Sequence, residues 1–101
     1  MHTLKTIRRV TVYAAQGHEK SLIEHFLGFG AKGYTITETR GLGEHAALDD
    51  PLARSTHVRI ELLVQLDAAE KIMTYLAGLS ARHLPIQACV DSVDVFGAEH
   101  F

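Results

Sequence analysis

Four stretches of the chain alternate between apolar and polar side chains: Lys5–Ala15, Tyr34–Thr39, Thr56–Leu66 and Ile86–Phe96. A period of two places successive side chains on opposite faces of a β-strand. In the first, Val10, Val12 and Ala14 share one face, while Ile7, Arg9, Thr11 and Tyr13 share the other. In the second, Thr35, Thr37 and Thr39 lie opposite Tyr34, Ile36 and Glu38. The third is the most regular. Val58, Ile60, Leu62, Val64 and Leu66 alternate with His57, Arg59, Glu61, Leu63 and Gln65. In the fourth, Ile86, Ala88 and Val90 keep one phase and Val93 and Val95 the opposite one, a change that predicts a bulge near Asp91-Ser92.

Between the strands the period lengthens to that of a helix. His18–Phe29 carries Leu22, Ile23, Phe26 and Leu27 on one stripe, and Gly28 and Gly30 mark its end. After the third strand, Ala69, Ile72, Met73, Leu76 and Leu79 form a second buried stripe ending near Gly78 or Ser80, with Met73 a core filler. Asp67 and Glu70 have the spacing of a capping box. The segment 41–55 has no period, and loops of that length in compact domains are usually functional or mobile. The order β-α-β-loop-β-α-β is the split βαβ, or ferredoxin-like, pattern of an α+β fold. It predicts a four-stranded antiparallel sheet with both helices on one face. Tyr13, Leu63, Val93 and Val95 then lie on the uncovered face and call for a partner subunit.

Composition narrows the function classes. The 101 residues make one domain, and 47% hydrophobic with 22% charged residues is ordinary for a globular protein. A formal net charge of −2 argues against a nucleic-acid module. Arg8-Arg9 reads as a solvated strand end or an interface charge. A lone Cys89 permits no intrachain disulfide, and a buried, reduced thiol is the expectation. With no apolar run of membrane-spanning length and no signal-peptide core, the expected location is the cytoplasm.

Candidate chemistry is sparse. Gly41 and Gly43 in Gly41-Leu42-Gly43 let the backbone turn sharply, and successive N–H groups there can form an anion nest; a loop that simply needs left-handed residues is the alternative. Arg40 and Arg59 flank the base of the loop, where two guanidiniums can hold an oxyanion. Pairing to Glu38 and Glu61 as rim charges is the equal alternative. None of the seven histidines has the spacing of a zinc motif, so no metal site is expected. Asp49-Asp50 before Pro51 is a turn former, or a cation or acid/base pair. No serine sits in a nucleophile motif, and no catalytic residue is assigned.

The run Gly30-Ala31-Lys32-Gly33-Tyr34-Thr35-Ile36-Thr37-Glu38-Thr39-Arg40-Gly41-Leu42-Gly43, followed after a loop by His57-Val58-Arg59-Ile60-Glu61-Leu62, resembles the PII signalling proteins. It is most similar to their relatives associated with bicarbonate transport and carboxysomes. The resemblance implies a homotrimer of ferredoxin-like subunits that binds adenine nucleotides in intersubunit clefts and is not an enzyme. Residues 41–55 would be its T-loop. Thr35 would contact adenine by its hydroxyl and Leu63 by its backbone, with Gly41, Leu42 and Gly43 along the phosphates. Arg40 and Arg59 would be the bicarbonate or anion residues. The implied partner is a transporter or enzyme of inorganic-carbon metabolism, with no nucleic acid and no membrane insertion.

Departures from the family pattern qualify this. Leu79-Ser80-Ala81-Arg82-His83-Leu84 lacks the glycine pattern and the phosphate-binding lysine usual after the second helix, leaving Arg82 as a substitute. The usual C-terminal arginines are absent, and Glu44-His45 replaces the common Arg-Gln. A hydrogen bond to a charged group contributes about 1.5–3 kcal/mol, so losing several predicts ADP or AMP bound in preference to ATP. ATP, cyclic AMP and bicarbonate remain further ligands, and no cofactor is expected. The loop has no tyrosine, so tyrosine modification there is excluded. Two rival readings share the fold: a trimeric metal-binding protein of the copper-tolerance type, and a small enzyme using His57 or His45 as a base.

Overall fold

The computed structural model describes residues 3–39 and 57–101. Strand β1 (Lys5–Ala15) leads through a 3-10 turn (Gln16–His18) into helix α1 (Glu19–Gly28) and strand β2 (Thr35–Thr39). Strand β3 (His57–Val64) leads into helix α2 (Leu66–Ala81) and strand β4 (Gln87–Val95), and a 3-10 turn (Ala98–His100) closes the tail. The sheet order is β2-β3-β1-β4, antiparallel throughout. This is the ferredoxin-like arrangement that the periodicity predicts.

The alternation decides which side chains meet the helices. Val10, Val12 and Ala14 of β1 and Val58, Ile60, Leu62 and Val64 of β3 are buried in one cluster. Leu22, Ile23 and Phe26 of α1 join them, with Ala68, Ala69, Ile72 and Leu76 of α2. Met73 and Leu79 pack on its rim, as core fillers do. His25 lies between the helices. Its ring stacks on Tyr75 at 4.4 Å, and its Nδ1 is 2.8 Å from the Ser21 carbonyl.

Both helices stop in Schellman motifs. After α1, the Ala31 N–H donates to Phe26 C=O and the Gly30 N–H to Leu27 C=O, with Gly30 at φ 115°. After α2, the Leu84 N–H donates to Leu79 C=O and the His83 N–H to Ser80 C=O. Here the left-handed residue is His83, at φ 67°.

Several expectations are corrected. No bulge interrupts β4: the register with β1 runs unbroken from Lys5↔Val95 to Tyr13↔Gln87. The phase change has another cause. Ile86 and Ala88 lie against the helix-side cluster, whereas Val90 faces the same side farther along this edge strand and is 44% exposed. The Asp67–Glu70 capping box does not form, because α2 starts immediately after β3 with Gln65 as its N-cap and no side-chain cap bond. Asp67 instead sits in the first turn, where a carboxylate favours the helix dipole. Leu66 leaves the strand alternation to open α2 and is 52% exposed. Leu27, the last member of the α1 stripe, is also largely exposed. Cys89 is exposed rather than buried, because odd-numbered positions of β4 point away from the helices.

Candidate functional site: the uncovered face of the sheet

The face without helices is built from odd-numbered residues, and register sets them side by side. One rung reads Thr35–Glu61–Thr11–Cys89, the next Thr37–Arg59–Tyr13–Gln87, and the next Thr39–His57–Ala15. On the other side of the first rung lie Leu63, Arg9 and Asp91. Directly opposed side chains in such a ladder have Cβ atoms about 4.5–5.5 Å apart. Thr35, Arg59 and Tyr13 are exposed, and Leu63, Val93 and Val95 are half-buried. The apolar residues expected on this face are therefore on it.

Thr35 opens β2, and the β2–β3 ladder begins with Thr35↔Glu61. Leu62 and Leu63 have no β2 partner, so this edge of β3 continues past the end of β2. A backbone edge left without a strand can supply donors and acceptors to a ligand. Sequence periodicity alone marks Leu63 only as an outward side chain; its place past the last β2–β3 pair follows from the register.

Arg59 has no ion pair or hydrogen bond among the described residues, so the pairing with Glu38 or Glu61 is not formed. The neighbouring Arg9 differs. Its Nε and Nη2 donate to the two Asp91 carboxylate oxygens at 3.0 and 2.6 Å. That hydrogen bond holds the Asp91 carboxyl below the usual aspartate range and raises the Arg9 guanidinium. Arg8 points to the opposite face and donates to Ser92 Oγ at 2.9 Å. Arg8-Arg9 is thus two separate cross-strand links.

Arg82 caps α2 and is exposed. The connection it begins returns to Gln87, opposite Tyr13, so Arg82 lies toward the sheet end that carries His57 and Thr39. Thr35 and Leu63 are nearer the other end. Thr35 and Thr39 are separated along β2 by roughly 13 Å. Arg40, Gly41, Leu42 and Gly43, the rest of the segment 41–55, and Asp49-Asp50 lie outside the described residues. Among the described residues no group of three or more His, Cys, Asp or Glu side chains is arranged to hold a metal ion. None of the described helices is long and apolar enough to cross a membrane.

Two polar residues just outside the strands, at the end of the sheet nearer Thr35 and Leu63, were not singled out by the sequence pattern. Lys32 Nζ donates to Glu99 C=O at 2.9 Å, and Gln65 Nε2 to Ala98 C=O at 3.0 Å. Their acceptors are main-chain carbonyls distant in sequence, and such contacts leave no signature in local spacing.

Comparison with known proteins agrees with this architecture. A protein of Thermus thermophilus described as PII-like and signalling is 32% identical, with a TM-score of 0.81 and 97% of each chain covered. The CPII protein of Thiomonas intermedia, in a structure with ADP and bicarbonate, is 17% identical with a TM-score of 0.85, covering 100% of this chain and 99% of its own. A second CPII structure, with ADP, AMP and bicarbonate, is 16% identical with a TM-score of 0.82, covering 100% and 98%. No curated protein sequence matches significantly. The sequence model of nitrogen regulatory protein P-II matches residues 7–95. With that match spanning nearly the whole sheet and both helices, the chain belongs to the P-II family.

Proposed function

We propose that this protein is a trimeric, cytoplasmic PII-like sensor, a single domain that binds an adenine nucleotide between subunits and carries out no turnover. The observation that carries the reading is the uncovered sheet face. It presents Thr35, the edge of β3 past its last β2 pair at Leu63, and Arg59, which has no partner among the described residues, on a fold shared with a protein that binds ADP and bicarbonate. Adenine lies at Thr35 and Leu63. The phosphates run along β2 toward Gly41, Leu42 and Gly43, with Arg82 at that end. Bicarbonate is held by Arg59 together with Arg40, since a guanidinium offers a planar oxyanion two parallel N–H donors. Tyr13 and Thr37 flank Arg59 on its own rung and are placed to add hydroxyl donors. ADP or AMP is preferred to ATP because few cations are available for a third phosphate. The nucleotide acts by favouring one state of the segment 41–55 over another. That segment then engages a transporter or enzyme of inorganic-carbon metabolism.

Calorimetric titration with ATP, ADP, AMP and cyclic AMP, each with and without bicarbonate, tests the reading. One ADP or AMP per subunit, bound more tightly than ATP and altered by bicarbonate, is the expected result. Absence of nucleotide binding under every condition overturns it. Arg59→Ala is expected to abolish the bicarbonate effect; unchanged bicarbonate and nucleotide affinities would remove Arg59 from the anion site. Divalent-metal titration and a turnover assay with small carbonyl compounds distinguish the two rival readings.

A further inference from the structure

The chain after β4 folds back across the end of the sheet. Gly97 turns it in a left-handed conformation, φ 68°. The following 3-10 turn is closed by the His100 N–H on Gly97 C=O at 2.9 Å and the Phe101 N–H on Ala98 C=O at 3.1 Å. Ala98 is buried. Lys32 and Gln65 then fasten the tail from outside, each through one of its carbonyls.

The positions of these two fasteners matter. Lys32 stands three residues before Thr35, and Gln65 two residues after Leu63. They belong to the two segments that present the Thr35 hydroxyl and the Leu63 main chain. Residues 32–34 belong to neither helix nor strand, and Gly33 adds freedom there. The start of β2 thus needs an outside constraint, and the Lys32 bond supplies one. On the other segment, Gln65 is the junction between β3 and α2. A tail held by both side chains ties the junction after β3 to the approach to β2, at the sheet end where the β2–β3 ladder begins.

We infer that Lys32 and Gln65 are positioning residues of the nucleotide site. By holding the tail across both segments they keep Thr35 and the Leu63 main chain in mutual register, so tail docking and adenine-nucleotide binding favour each other. This rests on the nucleotide reading above. Coupling between two equilibria is reciprocal: the factor by which the docked tail strengthens nucleotide binding is the factor by which nucleotide strengthens docking. Because the acceptors are main-chain carbonyls, the side chain of Glu99 is not required.

The test combines ADP titration with hydrogen exchange of the C-terminal peptide in the full-length protein. In the wild type, ADP slows exchange at the His100 and Phe101 amides. Lys32→Met and Gln65→Ala each weaken ADP about five-fold, the low end of ordinary coupling, and remove that slowing. Glu99→Ala behaves as wild type. If the two variants release the tail but bind ADP as the wild type does, the tail is packing alone and the inference fails while the nucleotide reading stands. A wild-type tail unaffected by bound ADP overturns it without any variant. A wild-type protein that binds no adenine nucleotide overturns both.

Discussion

Gly30 and His83 hold the same place in the two halves of the chain, the left-handed residue that ends a helix. A non-glycine residue with positive φ costs roughly 1–2 kcal/mol, although histidine tolerates it better than most. Glycine in turn loses about 0.4–1 kcal/mol to the greater freedom of the unfolded chain. The first effect exceeds the second, so His83→Gly is expected to stabilise the protein by about 0.5–1 kcal/mol. Gly30→Ala is expected to destabilise it by at least about 1 kcal/mol. The denaturant midpoint at constant slope reads both. Asp91 supplies a pH signature at the same scale. Its folded-state acidity is increased by Arg9, so its contribution to stability is present above the ordinary aspartate range and is lost as pH falls through the lowered value. The pair is half-exposed, so salt weakens the effect. Comparing wild type with Asp91→Asn across acidic pH, at low and high salt, is expected to show the two stability curves converging on acidification.

At the scale of elements, the helix stripes separate into members that bear the core and one that does not. Phe26 and Ile72 are fully buried in the common cluster. Phe26→Ala is expected to cost about 3–5 kcal/mol and Ile72→Ala about 2–5 kcal/mol, the transfer term plus a cavity. Leu27 occupies the same sequence stripe but stands at its solvent rim, so Leu27→Ala is expected to cost under about 1 kcal/mol. Urea unfolding of the three variants checks the contrast. A period identifies the stripe, but how many of its positions the opposing sheet covers depends on packing. The same reasoning applies to β4. Its apparent change of phase is a strand running past its helices, which a sequence pattern cannot distinguish from a bulge.

At the scale of the molecule, the sheet has helices on one side only, and the other side carries Tyr13, Leu63, Val93 and Val95. A small domain gains buried area by pairing such a face, and in the proposed trimer this face lies between subunits. Sedimentation velocity is expected to give a trimer for the wild type. Leu63→Asp is expected to shift it toward monomer, because Arg9, directly opposite, is already bound by Asp91, and the interface would have to bury an added carboxylate. A folded Leu63→Asp protein that remains trimeric would place the interface elsewhere. Nucleotide binding is expected to fall with the trimer, since the proposed clefts are shared between subunits.

Strand and helix identity, their order and most of the helix-facing residues were legible in the chain, because periods of two and 3.6 report which side of each element is buried. The run from Gly30 to Gly43 also carried the family. Tertiary structure alone decided the rest: that β4 has no bulge, that Cys89 is exposed, that Arg59 has no partner among the described residues while Arg9 is locked to Asp91, and that Lys32 and Gln65 hold the tail. Each of these depends on register or on a contact between residues distant in sequence. Local spacing constrains only near neighbours, and a hydrogen bond to a main-chain carbonyl places no demand on the side chain that accompanies it.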